Sequence, residues 1–298
     1  MNVRWSILLL MLLASPLAGA QDKPSVVVTF SVIEDLTAQV AGDLAQVRSL
    51  TPRGAEVHEY ELRSRDFQAL EDADLVLYNG LNLELWMGQV RTVVGAEVPV
   101  VALAESETIE PLPIIAGEFG GDPDPHVWMD PRRVVEMVNE IERQLIELLP
   151  DQADVLRANA DAFRDDLDVL YRELREAFQN LPASRRVLIS SEAAFVYFAE
   201  AFDFFHDAIW GSNAEVEGSP RQIMRITDVI AEREPAALFW ESTVSSRQIE
   251  GIASDTGVPV RGPLYVDSLG PADGDAGTYQ RMMRKNMRIL KEALGDGR

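Results

Sequence analysis

Four side chains of types able to hold a divalent cation stand where apolar runs end: His58, His126, Glu192 and Asp267. They lie in GAEVHEYEL, GDPDPHVWMD, RVLISSEAAFVYF and GPLYVDSL. Two imidazoles and two carboxylates delivered by four separate loops could form an all-protein cation site. Spacing alone does not assign them. No pair has the close spacing of a zinc finger or an HExxH helix. His58 follows a glycine turn and is equally readable as a surface or core histidine. His126 follows Asp124-Pro125, which holds its imidazole on a stiffened turn. Glu192 could serve only as a favourable charge at the start of a helix, and Asp267 only as a turn cap. The third histidine, His206 in FDFFHDAIW, reads as structural.

The elements that must position these residues follow from periodicity. Strand-like runs occur at 25–30, 43–50, 74–80 and 98–104, with helical patterns such as IEDLTAQVAG and 64–71 between them. The rhythm returns at 186–191, 236–242 and 258–265, and TYQRMMRKNMRILKEAL forms a closing helix. Such alternation predicts an α/β chain with two parallel sheets flanked by helices. Between the halves, Val134, Val138, Ile141, Leu145 and Leu148 follow Pro131 at helical spacing. Leu156, Phe163, Leu167, Leu170, Leu174 and Phe178 follow Pro150 in the same way. A helix from Asp151 to about Leu181 would be roughly 45 Å long, a stiff spine that predicts little domain closure. The segment 113–125, rich in Gly and Pro, reads as an exposed loop leading into His126.

Composition narrows the function classes. The 298 residues are 47% hydrophobic and 26% charged, ordinary values for a globular chain with a proper core. Residues 1–20 carry Arg4, one apolar run and Ala18-Gly19-Ala20, the pattern of a cleavable secretory leader. No later stretch is apolar enough to span a bilayer, so the mature chain is not expected to insert in a membrane. There is no cysteine, hence no disulfide and no site for a lipid anchor on that residue. The net charge of −22 argues against nucleic acid as a partner. The expected organisation is a leader at 1–20, a first lobe at 21–150, a linking helix at 151–182 and a second lobe at 183–298.

The segments PRGAEVHEYEL, NGLNLELW, DPHVWMDP, SSEAAFVYFAEAF, SPRQI, ESTVSSR and GPLYVDSLGPADG…TY occur in order across both halves. With them the chain resembles the periplasmic metal-binding subunits of bacterial manganese/iron/zinc ABC importers, most closely the chelated-iron and manganese type. The resemblance implies two Rossmann-like lobes joined by a rigid backbone helix. It also implies that His58, His126, Glu192 and Asp267 are the four metal ligands. A monomeric, periplasmic carrier would then deliver its ion to an inner-membrane permease with a cytoplasmic ATPase. Zinc-type members usually place a histidine third and carry a His-rich loop before the second ligand. Here Glu192 is third and residues 113–125 contain no histidine. That departure points to Mn²⁺ or Fe²⁺ as cargo, with Zn²⁺ still able to bind in vitro. Ala193 and Glu61-Leu62 depart from common family residues without removing a ligand. Trp240 is expected to reshape the surroundings of the site, and Glu241 to hydrogen-bond near it. A zinc-importer subunit is the runner-up, ahead of a metal-dependent periplasmic hydrolase or an adhesin. The hydrolase would need an open coordination position and a general base, and no GxSxG or HExxH motif is present.

Overall fold

Valine-rich segments such as SVVV strongly favour buried parallel strands, because β-branched side chains pack well on a pleated surface covered on both faces. In the computed structural model, which describes residues 23–212 and 218–295, that segment is β1 (Ser25–Val28). The expected leader at 1–20 lies outside the described residues. Helix α1 (Ser31–Ala41) leads to β2 (Gln46–Ser49), α2 (Ser64–Glu71) to β3 (Leu75–Tyr78), and α3 (Met87–Val93) to β4 (Val100–Ala102). All pairings are parallel and the order is β2-β1-β3-β4.

The second lobe contains β5 (Val187–Glu192), α6 (Val196–Phe202), β6 (Phe205–Trp210), α7 (Pro220–Arg233), β7 (Leu238–Glu241), α8 (Arg247–Thr256), β8 (Val260–Leu264) and α9 (Tyr279–Leu294). Its sheet is parallel in the order β6-β5-β7-β8, the order of the first sheet repeated. The likeness of the halves, only a rhythm in the sequence, is therefore one of topology. The strand β6 was not among the expected strands: in FHDAIW a histidine and an aspartate interrupt the apolar pattern. His206 earns its place structurally. Its Nδ1 lies 3.1 Å from the Leu188 carbonyl and its Nε2 accepts from the Phe195 amide at 3.3 Å. Burial pushes its pKa down to about 4, so the ring is neutral.

Two helices join the lobes: α4 (Pro131–Leu148) and α5 (Ala153–Gln179). The Asp130 side chain accepts the Arg132 amide at 2.9 Å and Pro131 occupies the first turn, so α4 begins where its donors are already satisfied. With 27 residues, α5 is about 40 Å long. It packs against α1 and α4 of the first lobe and against α6 and α9 of the second. Its buried stripe runs through Leu156, Ala160, Phe163, Leu167, Leu170, Leu174 and Phe178, so one hydrophobic core is continuous along the spine. A smaller core, with Ile189, Ile209, Ile226 and Leu238, lies within the second lobe. No helix among the described residues is long and apolar enough to cross a membrane.

The segment 113–125 is for the most part the exposed loop expected, but a few of its residues turn inward. Ile114, Ala116 and Asp124 are buried, Pro113 bridges Pro123, the Ile114 amide donates to the Asp122 carbonyl at 2.8 Å, and the Gly121 amide donates to the Ile114 carbonyl at 2.9 Å. It lies against Gly211 at the end of β6, where any Cβ would collide with the Ala116 carbonyl oxygen. A Gly/Pro-rich composition signalled the turn but not its apposition to the other lobe.

At the end of the spine, Phe178 meets Phe198 and Phe204 edge-on at ring-centroid distances of 5.7 and 5.1 Å. Phe178→Ala is expected to lower unfolding stability by about 3–5 kcal/mol. Val169→Ala on the solvent face of the same helix should stay within about 0.5 kcal/mol. Urea titration of both variants checks this; equal losses would mean that α5 is not anchored through its apolar stripe.

Candidate metal centre

In parallel sheets of this kind, ligands collect beyond the carboxyl ends of the strands. His58 lies in the segment after β2, His126 after β4, Glu192 on the last residue of β5, and Asp267 three residues beyond β8. The structure brings all four together. One donor atom from each lies within 4.8 Å of every other, and no residue of the set is more than 1% exposed. His58 Nε2 is 3.5 Å from Glu192 Oε1. His126 Nε2 is 3.8 Å from Glu192 Oε2 and 3.5 Å from Asp267 Oδ1. Donors about 2.0–2.2 Å from a common ion stand at most some 4.4 Å apart, so the group needs to contract by only a few tenths of an ångström.

Each donor is held by backbone fastened elsewhere. The His58 amide donates to Glu56 Oε1 at 2.8 Å, the His58 carbonyl accepts from the Leu85 amide at 3.3 Å, and Trp86 Nε1 donates to the Val57 carbonyl at 2.8 Å. His126 is held from three sides. Its amide donates to Asp124 Oδ1 at 2.9 Å, its Nδ1 lies 3.0 Å from the same oxygen, and Asn79 Nδ2 donates to the Pro125 carbonyl at 2.9 Å. A carboxylate on Nδ1 turns Nε2 towards the other donors and raises its basicity, the usual partner of a metal-ligating imidazole. Tyr197 Oη donates in turn to the Asp124 carbonyl at 2.7 Å. The Glu192 amide donates to Glu241 Oε1 at 3.3 Å. Thr243 Oγ1 donates to Asp267 Oδ2 at 3.4 Å.

The electrostatics of the two imidazoles differ. Burial pushes the His58 pKa down to about 4, against the opposing pull of Asp267, so its neutral ring keeps one nitrogen lone pair available. Burial also disfavours charge on His126, but the Asp124 and Glu192 carboxylates, with hydrogen bonds to Asp124 and Asp267, outweigh it and hold that imidazole well above its ordinary value. Burial raises the Asp267 carboxyl, while hydrogen bonding and charge from His126 bring it below the usual carboxylate range. Glu241, wholly buried, is pushed up to about 8 by desolvation, which favours its neutral form beside the site's other carboxylates. Neither ring nitrogen of His58 has a hydrogen-bond partner among the described residues. Buried polar atoms are rarely left so. An arrangement of soft-edged nitrogens and hard oxygens around one point can coordinate a divalent cation.

Sequence reasoning placed Glu241 near the site, where it is. It overlooked the part played by Asp124, whose signal was available: a carboxylate two residues before a histidine in D-P-H. It also gave Trp240 an influence on the site that the structure corrects. Along β7 successive side chains alternate; Glu241 faces the donors, whereas Trp240 packs on the second-lobe core and stands beside Gly262.

The model of the family "Zinc-uptake complex component A periplasmic" matches residues 26–293. The iron-binding protein YfeA of Yersinia pestis is 34% identical over 290 residues, covering 95% of this chain and 92% of that protein. The manganese-binding lipoprotein MntA of Halalkalibacterium halodurans is 34% identical over 269 residues, covering 90% and 88%. Among solved structures, the periplasmic zinc-binding protein TroA of Treponema pallidum superposes with a TM-score of 0.85 at 31% identity, covering 91% of this chain and 99% of that one. The same fold and a match over nearly the whole chain lead to one assignment: this protein belongs to the family of periplasmic metal-binding components of zinc-uptake-type ABC importers.

Proposed function

We propose that the protein captures Mn²⁺ or Fe²⁺ between its lobes, through His58, His126, Glu192 and Asp267, and delivers it to an ABC permease with a cytoplasmic ATPase. The observation that carries this reading is the convergence of two imidazoles and two carboxylates, all buried, on one point. The apolar leader at 1–20 supports export to the periplasm, where the mature chain would act as a monomer. Relatives are named for iron and for manganese, and a structural neighbour for zinc, so names alone do not choose a cargo. The donor set favours the harder ions. A carboxylate in the third position supplies oxygen suited to Mn²⁺ and Fe²⁺, and can bind through both oxygens to exceed the four-coordination that zinc prefers. Zn²⁺ would still bind in vitro, since affinity rises along the divalent series towards copper and remains high at zinc. Hydrolysis is less well supported: four protein donors leave little room for an activated water.

Titration of the metal-free protein with Mn²⁺, Fe²⁺ and Zn²⁺, monitored calorimetrically, tests the reading. Glu192→Ala and Asp267→Ala should each weaken Mn²⁺ binding by on the order of 100-fold or more, because even loss of an outer partner costs about 10–100-fold. Glu192→His should shift preference towards Zn²⁺ by roughly tenfold or more. A wild-type protein that takes up Zn²⁺ but neither Mn²⁺ nor Fe²⁺ would transfer the assignment to the zinc-importer class.

Acidity should oppose capture. Its acidic neighbours raise the His126 imidazole well above its ordinary value and so favour its protonated form, yet coordination requires a free Nε2 lone pair. The ion-bound state therefore carries fewer protons than the free state, and affinity rises with pH. About one proton should be released per ion near pH 7, with affinity falling about tenfold per unit of acidification. Calorimetry in two buffers of different ionisation enthalpy measures that proton directly; a pH-independent affinity between 6 and 8 would contradict it.

A further inference from the structure

Asp267 belongs to the second lobe by sequence, but its loop is fastened to the first. Up to Tyr265 the chain is tied to its own lobe: the Tyr265 amide and carbonyl pair with the Asn286 side chain of α9 at 2.8 and 2.7 Å. From Val266 onwards the backbone's partners change lobe, although the Asp267 side chain still accepts from Thr243 Oγ1 of the second lobe at 3.4 Å. The Val266 carbonyl accepts from Trp128 Nε1 at 3.1 Å. Ser268 Oγ accepts from the Gly54 amide at 2.6 Å and lies 3.2 Å from Ser31 Oγ, which itself accepts the Leu269 amide at 2.9 Å. Both serines are buried. The half-buried Arg53 then donates from a single Nη1 to the carbonyls of Gly270, at 3.1 Å, and Gly277, at 2.9 Å, the two ends of the turn that follows. Its Nη2 stands 3.6 Å from Glu34 Oε2 on α1, which orients the guanidinium. Asp35 Oδ2 accepts the Tyr279 amide at 2.8 Å and closes the series.

We propose that Arg53 is a positioning residue for Asp267: with Ser31 and Ser268 it fastens the 266–279 loop to the first lobe, so that three of the four donors travel with that lobe. The inference rests on the metal-capture reading above. Arg53 lies five residues before His58 on the same segment, so one piece of backbone places one donor and clamps the loop of another. Glu192, on the rigid end of β5, is then the donor left on the second lobe. Separation of the lobes would withdraw one carboxylate from an otherwise intact set, and weakening the clamp would free a second.

The test is the rate at which Mn²⁺ leaves the loaded protein when mixed rapidly with excess chelator. Arg53→Met should accelerate release about tenfold, since two hydrogen bonds from a charged donor are lost. Arg53→Lys should stay within about threefold, because one ammonium can serve both carbonyls as the single Nη1 does. In an Asp267→Asn background, Arg53→Met should add almost nothing, the signature of a residue acting through that side chain. Ser268→Ala, which removes the neighbouring bonds without touching Arg53, carries the same comparison should Arg53→Met not fold. Unchanged release in Arg53→Met, or equal acceleration in both backgrounds, overturns the clamp alone. Failure of the wild type to hold Mn²⁺ at all overturns the capture reading and the clamp with it.

Discussion

Two acidic side chains, Glu192 and Asp267, are placed wholly out of water at the meeting of two lobes. A carboxylate so buried is costly unless a cation stands beside it. In the metal-free molecule His126 serves, its protonated form favoured by Asp124, Glu192 and Asp267. That form carries one positive charge on a ring whose lone pair is also wanted. On the proposed reading, a divalent cation at the same point would supply twice the charge and release the proton. The site is thus held together without its ion by the side chain that must change state to admit it. Glu241 fits the same constraint: its raised pKa favours the neutral form of a further acid where another negative charge would repel the first two.

The fold explains how such a cluster forms without long loops. Two sheets of identical strand order present their carboxyl ends to one another, and each lobe contributes donors from segments that begin where strands stop. The register of α5 against helices of both lobes fixes the distance between those ends. A pair of independent lobes on a flexible linker would bring four donors within 4.8 Å only at a large entropic cost. Here the spine bears that cost once, through a continuous apolar stripe.

Much of this was legible in the chain because parallel strands and long amphipathic helices leave strong periodic marks. Val26, Val27 and Val28 mark a strand buried on both faces, and Leu156 to Phe178 mark one face of a helix. Strand limits were overextended: the run at 98–104 yields a strand only at Val100–Ala102, although backbone bonds to the β3 segment reach from Pro99 to Ala104. The strand β6 escaped because His206 and Asp207 break the pattern, and their partial burial is made tolerable by partners distant in sequence, Leu188 for one and Arg225 for the other. The four candidate donors could be named from the family's motifs, yet their convergence could not be read from spacing, because each lies on a different strand exit. Arg53 gave no signal at all. An arginine before a glycine is unremarkable until the carbonyls of Gly270 and Gly277 are found beside it.

Rigidity and release make opposing demands, and the distribution of donors reconciles them. Were each lobe to own two donors, any parting of the lobes would break the coordination shell in half, and a stiff spine would resist that step. On the proposed reading, with the Asp267 loop bound to Gly54, Ser31 and Arg53, a small retreat of β5 would remove Glu192 alone. Loss of one anionic donor both lowers the donor count and leaves the ion with less compensating charge, so its hold weakens steeply for little movement. A docking partner that displaced the end of β5 by an ångström or two would therefore need no hinge. The same economy places selectivity and release on one residue: the carboxylate that distinguishes this chain from a three-histidine site is also the donor whose departure would let the ion go.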